Sequence, residues 1–98
     1  MMRREHSHDR YGLADAAGRW LLDNCADAYG AHGFVYATGR DGVTVAAGGD
    51  GAISVGVYRD DDALTAGDPL VFREWGTSTV GDIGEAVAFL RHWVGYMP

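Results

Sequence analysis

Between Gly33 and Tyr58 the chain reads "GFVYATGRDGVTVAAGGDGAISVGVY", three short apolar stretches cut apart by glycine and aspartate. Runs of this length, rich in Val, Ile and aromatic residues and bounded by such breakers, are strands. Connections this short join antiparallel neighbours only, because a parallel crossover needs a dozen or more residues. An antiparallel meander is therefore the frame that the rest of the chain must complete.

The strands are expected at Phe34–Thr38, Val43–Ala47 and Ala52–Tyr58. Asp41-Gly42 is a two-residue hairpin signal, since both loop positions need positive φ. That loop sets Thr38 opposite Val45 and Tyr36 opposite Ala47. Phe34, Tyr36, Val43 and Val45 then share the core face. A three-residue connection, Gly49-Asp50-Gly51, sets Ile53 opposite Ala47 and Val55 opposite Val45. "PLVFREW", Pro69–Trp75, supplies a fourth strand, with proline tolerated at its first residue.

Helices flank this meander. Across residues 10–29, Leu13, Ala17, Trp20, Leu21 and Ala28 fall on one side at 100° per residue, and Asp15, Arg19, Asp23 and Asp27 on the other. Asp9 is the candidate N-cap and Gly30 the stop. Gly12 and Gly18 weaken the early turns. Over residues 77–94, Val80, Ile83, Val87, Leu90 and Val94 form a second stripe, widened by Ala86 and Trp93. Thr79 with Asp82 resembles a capping box, and Gly95 ends the segment. The expectation is a two-layer α+β domain over residues 1–98, a four-stranded antiparallel meander with both helices on one face. Residues 1–9 read as a frayed N-terminal segment. Thr44, Ser54, Gly56, Tyr58, Val71, Arg73 and Trp75 are assigned to the opposite, uncovered face.

The 98 residues suit one domain with one modest core. A single cysteine, Cys25, forms no internal disulfide. "MMRREHSHDRYG" has no apolar run behind it and does not read as a signal peptide, and no segment holds the ~20 apolar residues a membrane span needs. A cytoplasmic protein is expected. The net charge is −6, all eight bases are Arg, and Asp outnumbers Glu by eleven to three. Residues 41–74 carry −5 of that charge, seven acids against Arg59 and Arg73. Such a chain repels nucleic-acid phosphates and favours a basic partner.

Candidate chemistry is sparse. Asp60, Asp61, Asp62 and Asp68 have the wrong spacing for an EF-hand, and adjacent aspartates on an extended chain point in alternate directions, so they converge poorly on a cation. A solvated loop and an acidic docking surface both remain open for them. His6 and His8 lack further zinc ligands nearby, and His32 and His92 lack an adjacent orienting acid. Cys25 has no local base, and there is no G-x-S-x-G motif. "AAGGDGA" lies between strands, unlike a phosphate-binding loop. No catalytic residue, metal or cofactor is assigned.

Tyr58, Arg73 and Trp75 have the composition of a protein–protein hot spot. Together with Asp60, Asp61, Asp62 and Asp68 they form the expected partner-binding set. The function expected is that of a small, acidic, non-enzymatic inhibitor or regulator of a basic, nucleic-acid-handling protein complex, its carboxylates standing in for phosphates. In size, acidity and lack of a catalytic motif the chain is similar in type to phage-encoded inhibitors, anti-CRISPR proteins among them, and to bacterial immunity proteins. That likeness carries no residue over. The alternatives are an obligate homodimeric adaptor paired through the open sheet face and, less favoured, a metal-dependent enzyme at the Asp-rich loop.

Overall fold

The computed structural model describes residues 16–49, 52–76 and 80–94. Among them the elements are helix α1 (Ala16–Asn24), strands β1 (Tyr29–Ala31), β2 (Phe34–Thr38), β3 (Thr44–Gly48) and β4 (Ile53–Tyr58), helix α2 (Asp61–Ala66), strand β5 (Val71–Trp75) and helix α3 (Val80–Val94). The class is α+β, but the antiparallel sheet has five strands in the order β1-β2-β3-β4-β5, one more than the four expected. The residues singled out at 1–15, at 50–51, at 77–79 and at Gly95 lie outside the described set. They include His6, His8, the Asp9 cap, Gly12, Leu13 and the Thr79 cap.

The first helix ends earlier than its apolar spacing suggests. α1 stops at Asn24, whose side-chain amide donates to the Trp20 carbonyl at 2.8 Å. The chain turns at 26–27 and enters β1, which pairs Tyr29 with Tyr36 and Ala31 with Phe34. His32 and Gly33 form the two-residue loop between them, at φ 54° and 84°. Positive φ at both positions is the signature of a type I′ turn, whose twist matches that of its strands.

A second correction concerns register. Thr38 lies opposite Thr44 and Val35 opposite Ala47, one residue away from the pairing that a two-residue Asp41-Gly42 loop dictates. Asp41 and Gly42 do adopt positive φ, at 56° and 81°. Arg40 joins them in a one-turn 3₁₀ segment, closed by the Gly39 amide donating to the Val43 carbonyl at 2.7 Å. A slip of one residue exchanges the two faces of a strand. Val35 and Ala37 are therefore in the core, and Phe34 and Tyr36 face the other way. The β3–β4 pairing is displaced by two residues, Val55 opposite Ala47, and so keeps Ile53, Val55 and Val57 inward as expected.

β5 reverses too. Trp75 lies opposite Ile53 and Val71 opposite Val57, which puts Val71, Arg73 and Trp75 on the helix side. Trp75 is only 7 % exposed. Its ring meets Phe89 of α3 edge-on at 5.7 Å, and its indole N–H donates to Glu85 at 3.1 Å. Both give the indole what a buried Trp needs, an apolar slot and a hydrogen-bond acceptor.

α1 and α3 pack against each other and against this same sheet face. Ala17, Leu21, Ala86 and Leu90 are fully buried over Val45, Ala47, Ile53, Val55 and Val57. Burying each larger aliphatic side chain stabilises by about 1.5–3 kcal/mol. Gly18 permits the close approach: a Cβ there would sit 2.9 Å from Val35 Cγ2. The glycine that weakens α1 as an isolated helix is what lets it lie down on β2. Among the described residues no helix is long and apolar enough to cross a membrane.

Candidate functional site

The side of the sheet away from α1 and α3 carries the aromatic residues that the register frees. Alternation along each strand puts Tyr29, Phe34, Tyr36, Tyr58 and Phe72 there, with Thr38, Thr44, Ala46, Ser54 and Glu74. Tyr29 and Phe72, on the two edge strands, are 58 % and 51 % exposed. Across the middle row, Tyr29, Tyr36, Ala46, Gly56 and Phe72 stand side by side. The Tyr29 and Tyr36 rings are 5.5 Å apart, and those of Phe34 and Tyr36 6.5 Å. Tyr58 folds back over Gly56, where any Cβ would lie 2.9 Å from its ring and hydroxyl. A glycine inside a strand here makes room for an aromatic ring. Ser54 Oγ donates to Glu74 at 3.3 Å.

The acidic loop is not extended chain. Asp60 is the N-cap of α2, at φ −160°, and its Oδ1 accepts from the Ala63 amide at 2.9 Å. Asp61 and Asp62 occupy the first turn, where the helix dipole favours negative charge. Gly67 closes α2 in the left-handed conformation, and the Asp68 amide donates to the Ala63 carbonyl at 2.9 Å. Asp61 also accepts from Thr44 Oγ1 at 2.8 Å, which fastens α2 to the open face of the sheet. Asp60, Asp61, Asp62 and Asp68 are all exposed. Arg59 and Asp60 approach to 3.8 Å as a surface pair of little energetic weight.

Seen from this geometry, the expected partner-binding set divides. Tyr58 is on the open face, and Asp61 is tied to it through Thr44, while Asp60, Asp62 and Asp68 are exposed around α2. Trp75 is a core residue, and Arg73 lies with it on the helix side. The Arg73 guanidinium carbon sits 5.1 Å from the Trp75 ring centroid and 5.5 Å from that of Phe89. In their place the open face offers Tyr29, Phe34, Tyr36 and Phe72, none of which had been assigned to it. The missed signal is His32-Gly33, a two-residue loop that pairs Tyr29 with Tyr36 and defines a fifth strand.

At the acidic end there is a small open cavity of about 90 Å³, lined by Asp27, Tyr29, Tyr36, Thr38, Thr44 and Asp61 among others. Asp27 reaches it from the turn after α1, where its Oδ2 accepts from the Thr38 amide at 3.1 Å. Among the described residues no three His, Cys, Asp or Glu side chains stand close enough to hold a metal ion. Cys25 is half-buried; desolvation, and then the charge of Asp27, raise its thiol above the ordinary value, which disfavours the thiolate. His32 is exposed at its turn, and His92 is exposed on α3 with its ring edge-on to Trp93 at 5.3 Å.

No protein-family model matches the chain, and neither a curated protein nor a solved structure matches it at a significant level.

Proposed function

We propose that this chain is a non-enzymatic binding protein that docks its open sheet face on a basic surface of a nucleic-acid-handling protein complex and inhibits or regulates it. The observation that supports this reading is the joining of two features on one face. Among the described residues Tyr29, Phe34, Tyr36, Tyr58 and Phe72 lie on the face away from α1 and α3, and Asp27 and Asp61 line a cavity at one end of it, with Asp60 and Asp62 exposed beside Asp61 at the start of α2. Aromatic residues supply the desolvated centre of an interface. Carboxylates at its rim steer association and select against acidic partners. A groove built for phosphates presents fixed cationic side chains, and carboxylates held on a folded frame compete with nucleic acid for them.

The test is competition. The protein, immobilised, is expected to retain a basic complex from its host at low salt and to release it to added duplex DNA or to high salt. A complex that neither salt nor DNA displaces would sink the phosphate-mimic reading. A second reading, a homodimer paired through the same face, draws on the exposure of Tyr29 and Phe72. It predicts a concentration-dependent dimer that Phe72→Ala dissociates, and sedimentation of a monomer at high concentration rules it out.

A further inference from the structure

We infer that the cavity between Asp27, Tyr29, Tyr36 and Asp61 is the specific pocket for an arginine side chain of the protein partner. This rests on the docking role just proposed for the open face. Asp27 is held by the amide of Thr38 and Asp61 by the hydroxyl of Thr44. Thr38 and Thr44 lie directly opposite each other on β2 and β3. Two carboxylates are thus tethered to one cross-strand pair, from two elements far apart in sequence. Each hydrogen bond engages one oxygen, Asp27 Oδ2 and Asp61 Oδ1, and leaves the other to accept. The residues lining the cavity include no base.

Two carboxylates on the wall of one cavity favour a cation as its occupant. The chemistry of the walls selects which cation. A hard metal ion wants six or more converging oxygens, and two carboxylates that each spend one oxygen on a hydrogen bond supply few of them. A phosphate or acidic peptide is repelled. A guanidinium has both the fork to bridge two carboxylates and the planar face to lie on tyrosine, whereas an ammonium has neither. At about 90 Å³ the cavity is several times the space one water needs and far below a drug-sized pocket, which matches the end of one side chain.

The experiment uses the full chain and three hexapeptides, hexaarginine, hexalysine and hexacitrulline, followed by amide NMR. Hexaarginine is expected to shift the Thr38 amide, whose acceptor is Asp27. Asp27→Asn with Asp61→Asn is expected to weaken it about tenfold, the loss of charge-assisted hydrogen bonds. Asparagine keeps an oxygen for Thr38 and Thr44, and thermal unfolding checks the fold. Tyr29→Leu, at an exposed edge position, weakens hexaarginine and leaves hexalysine unchanged. Equal binding of hexalysine and hexaarginine, unaffected by these variants, overturns the pocket and leaves the acidic docking face standing. Binding of neither peptide removes both. A dimer broken by the double Asn variant assigns the pocket to a second copy of the chain and overturns the partner's arginine.

Discussion

At the scale of single residues, Trp75 and Phe72 show what one position along a strand decides. Both are large aromatics in the same five-residue strand, and they point to opposite faces because their positions differ by an odd number. Trp75 fills the space beside Phe89, so its removal leaves a cavity, and the exposed Glu85 carboxylate turns to water. Trp75→Ala is expected to destabilise by about 3–5 kcal/mol in urea unfolding. Phe72→Ala is expected to cost less than about 1 kcal/mol, as surface changes do, while weakening partner binding or dimerisation. A Trp75→Ala protein of full stability and lost binding would reverse this assignment of faces. Arg73 belongs with Trp75: its guanidinium covers the two rings and shields the outer end of the core. Tyr58 lies on the open face, as alternation along β4 expects, because β4 keeps its parity whichever odd loop precedes it.

At the scale of elements, turns decided what the sequence disclosed. The apolar runs of β2, β3, β4 and β5 and the stripe of α3 are visible in the order of residues, since burial demands their periodicity. The register between β2 and β3 was not, because Arg40 extends the Asp41-Gly42 turn by one residue and nothing in its side chain announces this. β1 was hidden for a similar reason: three residues, two of them exposed, have no pattern of their own and exist through their pairing to β2. α2 is the clearest case of a local signal passed over. Asp60 with two acids after it is an N-cap and first turn, and Gly67 a C-terminal stop, signals that the acidic composition of the segment masks. The cap predicts a local effect. Asp60→Ala is expected to weaken α2 by about 1 kcal/mol, speeding amide exchange at Leu64 and Gly67 about fivefold. Exchange in β3 and β4 should stay as it was. An unchanged rate at Leu64 would show that the Asp60–Ala63 hydrogen bond has no bearing on α2.

At the scale of the whole molecule, the open face joins exposed aromatic rings to a carboxylate-lined cavity at one end. Some of the acidity has a structural duty in capping α2 and tying it to Thr44, and that same duty fixes the carboxylates in position beside the aromatic rings. Replacing Asp60, Asp61 and Asp62 together with asparagine is expected to slow association with a basic partner and to flatten its dependence on salt, with little change in dissociation. Association kinetics identical to those of the natural chain would leave these aspartates with a folding role alone. The division of the sheet has a further consequence. Strands β2 to β5 give alternate residues to the core and to the open face, and Ala46 and Gly56 keep the floor of that face small. Changes at Phe34, Tyr36, Tyr58 or Phe72 therefore alter what the molecule touches while sparing the packing beneath α1 and α3. Such a face is free to vary in sequence while the core is kept, and a library randomised at these four positions would show how much variation the scaffold accepts.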